Sequence, residues 1–408
     1  MFLKLDSEKY PIKNYGDLVG RICGSSARYC VDIFQSIQLM SNVAVVILTN
    51  GQSLSQVAKG RGCYTVLIMV WAIAGMILGQ IKSLKRFSFL ANFSVWLIVF
   101  VVIMSMVLVA NLPPNYTAAG GTNGVSPGPV ITQAIIYNNG NAKFTDQLTA
   151  CMNIVFAYGF ALVFVEFMAE MKRPWDFWKG MLVAQIFIFV VYLTYGLFMY
   201  SQQGQFVVNP ANQGIPDSQW AWQTVGNVFS MVASLIGAVL YGNIGVKIIY
   251  HTFCQRPLRL PSFESKYGRL IWIAAVIIYW IIGFVLAAAI PHVSDFVSLV
   301  GAVCTLQFSY TFPPLMMIIF NIRVGAAKGE EVYNPHADRT YWFDYRKYFS
   351  RWVRGYKDRW VLNTFNFVVF LASLATAVLG IYSSVLDLIQ TFQEEGSASS
   401  FTCKSPVA

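Results

Sequence analysis

The stretch NIVFAYGFALVFVEFMAEMKRPWDFWKG, Asn153 to Gly180, holds a carboxylate and a glycine inside an otherwise apolar run. Glu166 lies about five residues from the basic end, roughly 7 Å of depth at helical rise. A carboxylate drawn partly out of water has its charged form disfavoured and can take up a proton, so Glu166 is a candidate for proton coupling. A buried pair with a cytosolic arginine is the rival reading. Glu170, four residues on, is within reach of Lys172 or Arg173 as an interfacial ion pair. Tyr158-Gly159 offers a second chemistry. Glycine costs about 1 kcal/mol in a helix interior and permits an unwound turn whose free N–H and C=O groups can hold a zwitterion, as broken transporter helices do.

Other polar residues form patterns. Gln35, Gln38, Asn42 and Thr49 fall on one face of a helix, either as the wall of a substrate pathway, with Gln38 and Asn42 as binding residues, or as interhelical hydrogen-bonding groups. Ser230, Ser234 and Gly237, followed by Tyr241, read as a close-packing face. Pro313 and Pro314 remove backbone donors and predict a bend. The seven cysteines are scattered and imply neither a metal site nor a disulfide framework. His251, His292 and His336 lie apart, near span ends or in loops. No Ser/His/Asp or His/Glu cluster converges, so an enzyme is not expected.

These residues must be positioned by membrane helices. Of 408 residues 56% are hydrophobic and 12% charged, about half the usual charged fraction. Nine apolar runs, roughly 30–49, 64–81, 89–111, 148–170, 180–200, 225–246, 270–290, 296–320 and 364–386, approach the length of about 20 residues that crosses a bilayer core. The expected architecture is an all-α polytopic membrane protein. Residues 1–29 contain no apolar signal-peptide core. With the N-terminus in the cytosol and sides alternating, 25 of the 29 Lys and Arg fall in cytosolic segments, which is the positive-inside bias. The net charge of +10 is therefore a topology signal, and nucleic acid is not an expected partner.

That orientation gives a cytosolic N-terminal segment 1–29, a transmembrane domain 30–386 and a non-cytosolic tail 387–408. The loop 112–147 is non-cytosolic, and its Asn115-Tyr116-Thr117 sequon is compatible with that side. The cytosolic loop 321–363 is basic and aromatic. It reads either as a regulatory or lipid-binding segment or as a connector that fixes orientation, with 352–360 along the interface. No internal repeat is visible, though inverted repeats leave a faint trace.

FAYGFALVFVEFMAEMKRPWDFWKG resembles the sixth transmembrane helix and following loop of the amino acid/auxin permease family. IPHVSDFVSLVGAVCTLQFSYTFPPLMMI resembles that family's tenth helix, and KYPIKNYGDLVGRICG with the Gln35 to Asn42 stripe resembles the approach to the third helix in fungal neutral amino acid permeases. The resemblance implies the five-plus-five inverted-repeat (LeuT-like) symporter fold, N-terminally truncated so that the first two helices are missing; no GILSLP-like stretch is present. It also implies substrate contact at Tyr158, Gly159 and Phe160, the last standing where many relatives have His.

The expected function is proton-coupled symport of neutral or aromatic amino acids by alternating access. The alternative is a non-transporting sensor or inactive relative on the same scaffold. The expected partners are an amino acid and the lipid bilayer, with the proton as coupling ion and no cofactor, in the plasma membrane or alternatively the vacuolar membrane. An epitope inserted in 321–363 is expected to react with antibody only after permeabilisation of intact cells, and one in 112–147 before it. The reverse pattern overturns the orientation.

Overall fold

In a computed structural model the described residues are 1–7, 9–82, 84–132, 143–255, 260–261, 263, 265–290, 292–327, 349–395 and 401–405. The regular elements among them are all helical. In chain order the α-helices are α1 (Phe2–Leu5), α2 (Tyr15–Cys23), α3 (Ser25–Val57), α4 (Tyr64–Leu78), α5 (Leu84–Asn111), α6 (Tyr116–Asn123), α7 (Phe144–Ala157) and α8 (Phe164–Glu170). They continue as α9 (Phe177–Gln203), α10 (Trp220–Ile249), α11 (Gly268–Ala289), α12 (Val293–Val300), α13 (Phe312–Ala327), α14 (Phe349–Asp358) and α15 (Trp360–Glu395).

Among the described residues eight helical segments are long and apolar enough to cross a membrane. The ninth predicted span, 64–81, is present as α4 but has 15 helical residues, fewer than the ~20 a straight crossing uses. The chain divides into two compact units, 1–34 with 148–177 and 298–384, and 35–147 with 178–297 and 385–408.

In the first unit the packing is built on small residues, because lipid tails supply no hydrophobic drive between helices and close backbone approach must do the work. Met152 of α7 is fully buried with Ala302, Leu306 and Ala377. Gly301 and Gly380 are the positions that let neighbouring segments reach it, since a Cβ on either would press on the Met152 carbonyl or side chain. The predicted interfacial segment 352–360 is largely α14. It docks on α13 through Gly355 against Ile322 and Ala326, with Arg354 Nη2 donating to the Ala326 carbonyl at 3.0 Å and Asn321 Nδ2 donating to Asn363 Oδ1 at 3.0 Å. Residues 328–348 of the 321–363 loop lie outside the described residues.

The second unit packs around Trp280 of α11, 1% exposed, whose ring fills the space left by Gly75 of α4 and by Gly79 just past its end and approaches Gly242 of α10. A Cβ on Gly245 would press on the Tyr279 hydroxyl. Close packing of α10 therefore runs through Gly242 and Gly245. The predicted face does otherwise: nothing would meet a Cβ on Gly237, and Ser234 instead donates to Asn50 Oδ1 at 2.7 Å.

Side-chain amides hold the segment 203–219, three single turns between α9 and α10. Gln56 Nε2 donates to the Gln213 carbonyl (2.9 Å), Asn227 Nδ2 to Gln56 Oε1 (2.7 Å), Asn212 Nδ2 to Asn227 Oδ1 (3.2 Å), and Gln213 Nε2 to Ser53 Oγ (3.1 Å). Buried amides that satisfy one another in this way fix one arrangement of the chain, because each would be costly to leave unpaired.

One sequence reading is corrected here, and the role of Asn115 is added to another. Cys63 and Cys403 form a disulfide, reinforced by Thr65 Oγ1 donating to the Thr402 carbonyl (2.8 Å) and by Phe401 N donating to the Ala288 carbonyl (3.0 Å). Both cysteines lie in segments that the charge bias puts outside the cytosol, where disulfides persist. Asn115 is the cap of α6: Oδ1 accepts from Ala118 N at 3.1 Å and Nδ2 donates to the Ile215 carbonyl at 3.0 Å, in a residue 3% exposed. Its amide is committed and cannot present itself for glycosylation in the folded chain. Asn115→Ala is expected to leave electrophoretic mobility unchanged with or without glycosidase while costing about 1 kcal/mol of stability for the lost cap, read as a lowered melting temperature.

Candidate functional site

α7 ends where the sequence places its glycine. Tyr158 N donates to the Val155 carbonyl at 3.3 Å and Gly159 N to the Phe156 carbonyl at 3.1 Å, three-residue closures that tighten the last turn. A 3₁₀ turn, Phe160–Val163, follows before α8 begins at Phe164. Gly159 is required by proximity: a Cβ there would overlap Thr305 Cγ2. The interruption exposes the last carbonyls of α7 and the first N–H groups of α8.

Facing this break is a second deformed helix. Between α12 and α13 the chain passes through two π-helical turns, Gly301–Thr305 and Gln307–Thr311, and the latter lies against the 3₁₀ turn Phe160–Val163. Such π-turns are rare and gather at functional sites. A bend is predicted at Pro313-Pro314; the two prolines occupy the first turn of α13, where a missing N–H is harmless, and the departure from α-helix falls on the two π-turns upstream. The hydroxyls of Ser309 and Thr311 are buried and find no hydrogen-bond partner among the described residues. Interrupted main chain can offer N–H and C=O groups to an ammonium and a carboxylate; Ser309 itself lines a groove with Pro313, Met317 and Phe365. The sequence reading missed Thr305, Ser309 and Thr311, since nothing in residue type distinguishes a π-turn from an α-turn.

Glu166 stands in the first turn of α8, not in the middle of a continuous helix. Its residue is 9% exposed, and Oε1 accepts from the Tyr15 backbone N–H at 3.4 Å. Tyr15 is the first residue of α2, so the carboxylate sits at the first turns of two helices, where N–H groups lack intrahelical partners. The neighbouring residue Gly16 has no room for a Cβ because the fully buried Asp32 carboxylate lies there. Arg28 pairs with Asp17 and lies 3.7 Å from Asp32. Burial, and then Glu166, push the Tyr15 phenol above its ordinary value, so it stays neutral. Tyr15 also meets Phe308 edge-on, 5.2 Å between centroids, linking α2 to the π-turn. Glu170 forms no ion pair with Lys172 or Arg173.

Within the first unit the structure brings Gly159 onto the π-turns and Glu166 onto α2, while the Phe160 side chain is exposed and Tyr158 half-buried. Gln38 and Asn42 lie on the part of α3 that belongs to the second unit. Gln38 is buried, and Asn42 Oδ1 is buried with no hydrogen-bond partner among the described residues. Thr49 turns back to bond the Val46 carbonyl at 3.2 Å, and the stripe passes instead to Asn50, Ser53 and Gln56.

A sequence profile described as "Transmembrane amino acid transporter protein" matches residues 3–336. The chain belongs to that family. With its apolar helices, this makes it an integral multi-pass membrane protein. It is similar to the "N amino acid transport system protein" of Neurospora crassa, 24% identical over 272 residues, which are 65% of this chain and 50% of that protein. It is also similar to proteins called "Transmembrane transporter" from Gibberella moniliformis, 22% identical over 74% of this chain and 61% of the relative, and Fusarium pseudograminearum, 22% over 59% and 44%. The chain thus spans about half of the curated relatives it matches.

Gly159→Ala is expected to lower stability by about 1–3 kcal/mol, the usual cost of overpacking. Thr305→Ala removes the obstructing Cγ2, so the double variant is expected to recover part of that loss. Thermal melting of the four proteins checks it, and additive losses contradict the proposed contact.

Proposed function

We propose that this chain carries an amino acid across the membrane, holding it at the Tyr158–Val163 break against the Gly301–Thr311 π-turns. The observation that carries the reading is the meeting of two deformed helices at Gly159 and Thr305. In hydrocarbon an interrupted helix persists only where protein or a polar cavity satisfies its freed groups, and the zwitterion of an amino acid supplies one acceptor and one donor of charge-assisted hydrogen bonds. The surroundings are apolar and aromatic, Phe308 and Phe312 above all, ring centroids 5.4 Å apart. They favour a neutral or aromatic side chain over a charged one. The family and the printed name of the Neurospora crassa relative support amino acids as the substrate class.

The position of Glu166 supports proton coupling through it. Charged, it anchors the first N–H of α2; protonated, it loses the dipole interaction, worth about 0.3–1 kcal/mol or somewhat more when partly buried. Proton gain and loss would then loosen and tighten α2 against α8, and each proton moved with the field gains about 2.3 kcal/mol per 100 mV. The plasma membrane is the proposed location.

The purified chain in proteoliposomes with an acid exterior is expected to accumulate labelled neutral amino acids and to stop when an uncoupler is added. Glu166→Gln is expected to keep exchange of amino acid across the membrane but to lose accumulation. Concentrative uptake unchanged in Glu166→Gln removes that residue from coupling; absence of uptake and exchange in the unmodified chain refutes transport itself.

A further inference from the structure

The second unit carries a groove between α4 and α11, with a volume of about 920 Å³. Its walls are aliphatic, with Ile77 of α4 and Ile273 and Ile277 of α11 substantially exposed. One end is different in kind: Gln80, Lys82, Arg269 and Trp272 come together there, and among the described residues no Asp or Glu lines it. Beside the groove Trp280 wedges against Gly75 and Gly79 and pins the two helices together.

The polar end has spare binding capacity. Trp272 is 1% exposed, yet its indole N–H has no acceptor among the described residues, and Gln80 Oε1 is likewise buried and unpartnered. Lys82 Nζ donates to the Phe263 and Gly268 carbonyls at 3.4 Å each and lies 5.8 Å from the Trp272 ring centroid. Arg269 is exposed and makes no hydrogen bond or ion pair with a described residue. A buried N–H donor, an ammonium and a free guanidinium at one end of an aliphatic trough complement an anionic head with hydrocarbon tails. From Arg269 to Ile277 the trough runs about 12 Å along α11, enough for the upper half of an acyl chain.

We infer that this groove binds an anionic glycerophospholipid, with its phosphate at Lys82, Arg269 and the Trp272 N–H and one acyl chain along Ile77, Ile273 and Ile277. The inference draws on the orientation proposed from the charge bias, which faces this end to the cytosol, the leaflet where anionic lipids concentrate. A soluble anion would have no use for the aliphatic walls, and a partner helix would leave the cations without a counter-charge. The bound lipid would brace α4, the short span, against α11 at the membrane surface.

The test is lipid retention by the purified full chain in detergent doped with phosphatidylserine or phosphatidylcholine, followed by native mass spectrometry. One phosphatidylserine is expected to stay bound in preference to phosphatidylcholine. Arg269→Gln, which disturbs no internal bond, is expected to weaken phosphatidylserine about fivefold, as loss of one cation near a headgroup implies, with phosphatidylcholine and the melting temperature unchanged. Arg61→Gln, a cation elsewhere, is expected to alter nothing. Equal retention of the two lipids, an unchanged preference in Arg269→Gln, displacement of the lipid by inorganic phosphate, or a lipid-free dimer would each overturn the inference. The assay needs neither transport nor a particular orientation, so its failure is distinguishable from failure of either.

Discussion

The constraint on which the structure depends is that a backbone group freed inside hydrocarbon must find a partner within the protein. An uninterrupted helix meets that demand by itself. This chain departs from uninterrupted helix twice in one place, at Tyr158–Val163 and at Gly301–Thr311, and the two departures lie against each other. The pairing explains several residues at once. Gly159 has no side chain because Thr305 occupies the space; Gly301 has none because the Met152 carbonyl does; and the prolines come at 313 and 314, where α13 can begin without their N–H groups. The hydroxyls of Ser309 and Thr311, on the second π-turn, are buried without a hydrogen-bond partner among the described residues.

The same constraint connects the break to Glu166. Because α7 stops early, Glu166 falls in the first turn of a new helix, and its carboxylate meets the start of α2 as well. A residue that looks costly in a continuous span is therefore placed where two sets of orphan N–H groups favour it. Under the proposed coupling α2 is the element whose position would respond to a proton on Glu166; its Asp17 pairs with Arg28, which also lies 3.7 Å from Asp32.

Much of this was legible in the residues. Apolar length gave the helices, because the bilayer allows few alternatives, and Tyr158-Gly159 gave the break, because glycine in a span is tolerated only at a cost. The π-turns were not legible: a shift from four- to five-residue hydrogen bonding is chosen by neighbours, and Pro313 marks only its downstream edge. Burial hid other features. Asn115 reads as a sequon until its amide is seen to cap α6, Gly237 reads as a packing face until Gly242 and Gly245 are seen to do that work, and Cys63 and Cys403 are 340 positions apart, a pairing no local pattern reveals. The polar stripe was read to Thr49, whereas Asn50, Ser53 and Gln56 carry it into the amide network because Thr49 satisfies itself within its own helix.

The central claim is that an amino acid sits at the Tyr158–Val163 break, and amide hydrogen exchange of the purified chain with and without a neutral amino acid tests it most directly. The account predicts slowed exchange confined to peptides covering 156–166 and 301–311, where the substrate would close interrupted main chain. Binding of the amino acid with no change in those two segments would contradict it.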